Sequence, residues 1–208
     1  MLFFTFESKA QVDIGFHAGL STPNNQINNV YNTDDFNFES GPANIWREGS
    51  KIGYNIKVSA RLTMVPVVDF VGALGFHRFP QTDIEVYDPE NQDSVVAVLN
   101  TTQNIVAFSA GVNFYVIQSV VGVYATGNLA YNYISNTVDY QKGDVSIPVS
   151  TLSPTDSRVG VGFGAGMDFD IELLKLNLEG TFNIINLIGK DPDEENKSFF
   201  SLDLGVYL

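Results

Sequence analysis

The sequence predicts an all-β protein: an eight-stranded antiparallel up-and-down transmembrane β-barrel. Three observations predict it. Eight segments alternate apolar residues with small or polar ones, which gives each strand one oily face and one wet face. The connections alternate between four long gaps and three tight ones, the layout of membrane barrels with short turns at one end and long loops at the other. No apolar run approaches the ~20 residues of a membrane helix, although 44% of the 208 residues are hydrophobic.

Residues 1–10 read as a truncated signal-peptide remnant. Leu2, Phe3, Phe4 and Phe6 are apolar, and Ser8-Lys9-Ala10 sets small residues three and one before a cleavage point at Gln11. The competing reading is an ordinary first strand. The single barrel domain is then 11–208.

The first strand is 11–21, with Val12, Ile14, Phe16, Ala18 and Leu20 on the oily face. The second, 52–63, carries Ile52, Tyr54, Ile56, Val58, Ala60 and Leu62 there. The third, 68–79, carries Val68, Phe70, Gly72, Leu74 and Phe76. The fourth, 104–116, carries Val106, Phe108, Ala110, Val112, Phe114 and Val116. The fifth, 121–134, carries Val121, Val123, Ala125, Gly127, Leu129, Tyr131 and Tyr133. The sixth, 158–171, carries Val159, Val161, Phe163, Ala165, Met167, Phe169 and Ile171. The seventh, 174–188, carries Leu174, Leu176, Leu178, Gly180, Phe182 and Ile184. The eighth, 198–208, carries Phe200, Leu202, Leu204, Val206 and Leu208.

Gaps 64–67, 117–120 and 172–173 are tight; 22–51, 80–103, 135–157 and 189–197 are long or polar. Thr22-Pro23 followed by Ile27, Val30 and Tyr31 suits a short loop helix. Ile84, Val86, Val95 and Val96 are strand formers, so the 80–103 gap should continue its two strands beyond the membrane, with a tip at Pro89-Glu90-Asn91.

The wet face is rich in Gly, Asn, Ser and Thr, and that composition decides which face is inside. Eight strands enclose a narrow lumen, too small for the apolar set. Glycines on a solvent face would weaken a strand, whereas in a lumen they make room for large side chains. Only 17% of residues are charged, fewer than a soluble surface needs. The oily face therefore points to lipid, and because every backbone polar group in hydrocarbon must pair, the eighth strand must meet the first. The alternative is a soluble lipocalin-like ligand-binding barrel with the oily face inward.

The strand "RVGVGFGAGMDF" and the terminal strand "FFSLDLGVYL" resemble those of the small eight-stranded bacterial outer-membrane barrels of the OmpX and OmpA-transmembrane type. The likeness covers about 11–208. It implies an outer-membrane location, contact with outer-membrane lipid, and recognition of Phe200, Leu202, Leu204, Val206 and Leu208 by the barrel-assembly machinery. Family members usually end in Phe; this chain ends Tyr207-Leu208.

Charged residues on the wet face are the candidate site. Asp13, Lys57, Arg61, Asp69, Asp168, Asp170, Lys175, Glu179 and Asp203 all fall there, in mixed signs at similar depths. A buried ion needs a partner, so a cross-lumen ion network built from Asp13, Lys57, Arg61, Asp69, Asp168, Lys175, Glu179 and Asp203 is expected, making a plug rather than a porin. A gated pore or proton path is the second reading and a lipid-modifying barrel enzyme the third. His17 and His77, the only histidines, make neither a metal site nor a catalytic set, so no catalytic residue, cofactor or metal is expected.

The net charge of −13 argues against nucleic acid. Most of it sits in the long gaps, the candidate surfaces for an external ligand: Asp83, Glu85, Asp88, Glu90 and Asp93 lie in one of them without a base. Asp191-Pro192-Asp193-Glu194-Glu195 is acidic enough to gather a divalent cation but lacks the spacing of a calcium loop. Trp46 is an interfacial anchor or a cap on the barrel mouth, and Tyr131, Tyr133, Phe114 and Phe169 suit aromatic girdles. With no cysteine, the fold must be held without disulfides.

Overall fold

The structure is a computed structural model that describes residues 11–24, 27, 37–38, 41–42, 45–47, 51–65, 67–87, 95–142, 145–148, 155–171, 174–192 and 194–208. Residues 1–10 lie outside this set, as does most of the stretch expected to form a loop helix. Eight strands make the barrel: β1 (Gln11–Pro23), β2 (Gly53–Val65), β3 (Val68–Tyr87), β4 (Val95–Ile117), β5 (Val121–Lys142), β6 (Thr155–Ile171), β7 (Leu174–Ile188) and β8 (Ser198–Tyr207). Each pairs antiparallel with its neighbours in sequence, and β8 pairs with β1 to close the ring. The closure runs to Leu208, whose N–H donates to the Ile14 carbonyl at 3.0 Å while the Ile14 N–H donates to the Leu208 carbonyl at 3.2 Å.

Register fixes the barrel's dimensions. Gly160 on β6 faces Ala130, and the row continues through Ser109, Ala73, Ser59, Gly15, Tyr207 and Lys175 back to β6 at Asp170. The stagger of ten residues over eight strands tilts them by about 40° and sets a radius of about 8 Å. That lumen is about two side chains across.

Burial follows the two-residue period. Phe16, Ile56, Leu74, Phe108, Leu129, Phe163 and Leu204 lie exposed on the outer wall, Phe163 at 54% and Leu204 at 64%, which rules out the inward-oily soluble barrel. Tyr131 and Tyr133 face outward toward the long-loop end, Phe114 and Phe169 toward the tight-turn end. The outer surface changes character at Arg78, Asn104 and Ser135, which continue the rows begun by Phe76, Val106 and Tyr133. The tight turns instead stay apolar: Met64, Val65, Val67, Ile117 and Val120 are exposed there, and Val67 has a φ of 83°.

β3 and β4 stay paired as far as Tyr87 and Val95, the strand extension expected for 80–103; the expected tip at 89–91 lies outside the described residues. The 135–157 gap differs from expectation. Its first half continues β5 to Lys142, and Val145–Pro148 folds back to pair with Asp139–Lys142. Val138, Tyr140 and Val145 supply the strand formers. Ile45–Arg47, expected as loop, pairs with Ile84–Val86 at the edge of β3, which places the Trp46 backbone in a strand outside the barrel wall.

Candidate functional site

The candidate site is the lumen, where every inward side chain must share a space two residues wide. Its floor, toward the tight turns, is built around Arg61, which is completely buried. On the backbone Arg61 is opposite Asp13, yet its side chain crosses the lumen instead. Arg61 Nη1 donates to Asp168 Oδ2 at 2.6 Å and to the Tyr115 hydroxyl at 2.8 Å, and Nε lies 3.7 Å from Asp69 Oδ2. The guanidinium stacks 4.0 Å over the Tyr207 ring, which fills the near side and directs it across. Asp168 also accepts from Tyr115 OH and from Asn177 Nδ2, the latter at 2.7 Å, and Asp69 accepts from Thr63 Oγ1 at 2.6 Å.

Asp13 pairs with a different base. Lys175 Nζ lies 3.4 Å from Asp13 Oδ2 and 3.9 Å from Asp170 Oδ1. These residues line a vestibule of about 370 Å³ at the tight-turn end, with Asp170 at its rim.

The middle of the lumen holds Lys57, Glu179 and Asp203. Lys57 Nζ donates to Glu179 Oε1 at 2.7 Å and to Asp203 Oδ2 at 3.2 Å. Tyr124 OH donates to the other Glu179 oxygen at 2.8 Å, and Asn177 Nδ2 donates to Tyr124 OH at 2.7 Å, linking middle and floor. Glycines accommodate this density: a Cβ on Gly166 would strike the Tyr124 ring, and one on Gly205 the His17 ring. All eight candidate residues thus project inward, in three ion clusters rather than one ring, two of them joined through Tyr124 and Asn177. Tyr115 and Tyr124 were not among the candidates, although alternation alone places them inward, between Phe114 and Val116 and between Val123 and Ala125.

Above Lys57 lies a small chamber of about 80 Å³. One wall is small side chains of β3 to β5, among them Ala73, Ala107, Ser109 and Ala130; the opposite wall carries Glu179, Thr181, Ser201 and Asp203. Its roof is a feature that sequence reasoning missed. Phe79, Ile105, Ile134, Ile185 and Phe199 turn inward at the long-loop end and bury one another with Ile27. The five strand residues occupy wet-face positions, so their alternation was visible. Ile27 is placed by a turn: its N–H donates to the Asn24 carbonyl, and Asn24 is tied to β8 by its N–H to the Ser198 carbonyl at 2.8 Å and by Ser198 N–H to Asn24 Oδ1 at 3.2 Å.

His17 and His77 both face the lumen. His17 Nε2 is 3.0 Å from Ser59 Oγ, which donates to Tyr207 OH at 3.1 Å, but His17 Nδ1 is buried without a hydrogen-bond partner. The His17 ring packs edge-on against the Tyr207 ring, with centroids 5.1 Å apart.

Nearby bases pair with part of the acidic 189–197 loop. Arg158 Nη2 lies 3.4 Å from Asp191 and 3.5 Å from Glu194, and Lys197 Nζ lies 3.3 Å from Glu194. Asn186, fully buried, donates to Glu194 Oε1 at 3.1 Å and accepts from the Lys197 N–H at 2.7 Å. Burial pushes the Glu194 carboxyl up, but the Asp191 amide, Lys197, Asn186 and Arg158 outweigh it and hold the pKa below the usual value. Among the described residues no cluster of three or more His, Cys, Asp or Glu side chains could hold a metal; Asp193 lies outside them.

The sequence matches no protein-family model and no curated protein. Among solved structures, the fold is similar to that of Neisserial surface protein A, with a TM-score of 0.54 and 17% identity over 96% of this chain and 98% of that one. Ail, the attachment invasion locus protein of Yersinia pestis, gives 0.46 and 11% over 95% and 99%. The N-terminal β-barrel domain of Pseudomonas aeruginosa OprF gives 0.42 and 12% over 96% and 100%. The closed eight-stranded ring, its apolar outer wall and the first of these likenesses agree: the chain has the fold of the small bacterial outer-membrane barrels.

Proposed function

We propose that this chain is an integral protein of the bacterial outer membrane, a closed barrel that serves as a rigid scaffold for its acidic surface loops rather than as a porin. The observation that carries the reading is the filled lumen: Arg61, Asp168, Tyr115, Lys57, Glu179 and Tyr124 bridge a space about two side chains wide. A porin keeps an aqueous channel, which needs many more strands. Partners are outer-membrane lipid on the apolar wall, the barrel-assembly machinery through Phe200, Leu202, Leu204, Val206 and Leu208, and a surface ligand at 22–51, 80–103, 135–157 or 189–197. The barrel is not an enzyme in this reading.

Planar-bilayer recording of the reconstituted protein tests the closed barrel: no stable open channel is expected, and a porin-like conductance from the wild type would refute it. Location is tested separately by envelope fractionation and by protease added to intact cells, which should cut the long loops and spare 64–67, 117–120 and 172–173. A chain found in the cytoplasmic fraction, or cut only after the envelope is broken, would refute the placement.

A further inference from the structure

We infer that the lumen is sealed twice, by different physics at its two ends, with a water-filled chamber between. The inference rests on the closed-barrel reading but divides its seal in two. The inner seal is ionic. Arg61, Asp168, Asp69 and Tyr115 join the floor across the lumen, and Lys57, Glu179 and Asp203 stand above them. An ion entering from the tight-turn vestibule would have to break pairs whose separated charges sit in a low-dielectric space. The outer seal is apolar. Ile27, Phe79, Ile105, Ile134, Ile185 and Phe199 are each at most 3% exposed, and the Phe79 and Phe199 rings meet at 5.4 Å between centroids. A constriction of this kind excludes ions by expelling water, without any charge of its own.

The chamber lies between the seals and touches both, Asp203 below and Ile185 and Phe199 above. Ser109, Asn113, Asn128, Asn132 and Ser201 also line it, so it carries polar groups that the roof lacks. Asn113 Nδ2 and Asp203 Oδ1 are buried with no hydrogen-bond partner in the protein. About 80 Å³ is room for a few waters, and unpaired polar atoms beside it are the groups such waters satisfy.

Two seals in series have a signature that one seal lacks: opening either end alone exposes the chamber from that side only, and current flows only when both are opened. The chain has no cysteine, so Ser109→Cys gives a single thiol inside the chamber. Intact cells carrying this variant are treated with a small, membrane-impermeant methanethiosulfonate, and the purified proteins are recorded in planar bilayers. Phe199→Ala in the outer seal should speed labelling from outside by about ten-fold or more, with the bilayer still silent. Arg61→Ala with Lys57→Ala should leave the outside rate unchanged and also give no current, whereas adding Phe199→Ala to that pair should conduct. Ile105→Ser is the second outer-seal variant should Phe199→Ala lose the compact, heat-modifiable form. Current from Arg61→Ala with Lys57→Ala alone, fast labelling with the roof intact, or no gain in labelling from either roof variant would overturn the inference. Wild-type current would instead overturn the closed-barrel reading itself.

Discussion

Removing Arg61 should be the most costly single charge deletion in the barrel. Arg61→Ala takes away a completely buried guanidinium that bonds Asp168 at 2.6 Å and Tyr115 at 2.8 Å, stacks on Tyr207, and lies 3.7 Å from Asp69. Breaking a buried pair from one side costs about 3–5 kcal/mol, because the partner charge is stranded. Here Asp168 keeps Tyr115 and Asn177 as donors and Asp69 keeps Thr63, which places the loss near the lower end. A loss of about 3 kcal/mol is about two decades in the folding equilibrium. The assay is urea unfolding in phospholipid vesicles, followed by the compact band of the unheated sample. Lys190→Ala, which removes only an exposed bond to Asn196, should leave the midpoint where it is. Adding Asp168→Asn to Arg61→Ala should recover part of the loss, since the stranded carboxylate is the main cost. The reasoning is refuted if Arg61→Ala moves the midpoint no further than Lys190→Ala, or if the second substitution simply adds its own penalty.

Other changes test the wall, the lumen packing and the loop. Leu204→Lys places a charge in the lipid-facing wall and should cost about 2–4 kcal/mol near the bilayer middle; an unchanged urea midpoint would show that this face does not meet lipid. Gly166→Val drives a side chain into Tyr124 and should cost about 1–3 kcal/mol, whereas Gly72→Ala, which points into open space, should be neutral in the same titration. Glu194 has its pKa lowered in the folded loop, so its stabilising share is full above the unfolded value near 4.3 and fades as pH falls through the lower folded value. The protection of the Lys197 and Asp191 amides, relative to their intrinsic exchange rate at each pH, should therefore fall below about pH 4, and Glu194→Gln should flatten that dependence; protection that stays constant in the wild type would refute it.

The wall was legible in the sequence because its signal is local. Alternation with period two sorts Phe163 from Gly164 and Leu204 from Asp203 without any knowledge of neighbours, and the strand boundaries at 174–188 followed directly. The lumen was only half legible. Parity placed all eight charged residues inside, but which base meets which acid depends on reach across the barrel. Arg61 passes over its ladder neighbour Asp13 because the Tyr207 ring directs it to Asp168. The apolar roof was overlooked for another reason. Phe79, Ile134 and Phe199 look like strays on a wet face when each strand is read alone, and become a cluster only when the ten-residue stagger brings five strands to one level, where Ile27 joins them.

The bond pair between Ile14 and Leu208 makes this protein an all-or-nothing object. Seven of the eight strand pairings join neighbours in sequence and can form as short hairpins, but the seam between β1 and β8 joins opposite ends of the described chain. Until that seam closes, β1 and β8 each present a row of bare amides and carbonyls, which hydrocarbon does not tolerate. A nascent barrel therefore cannot settle into lipid piece by piece. Entry with the seam open would require both borders to be covered at once, and a chain truncated before Ser198 would leave the edges of β1 and β7 without their strand partner.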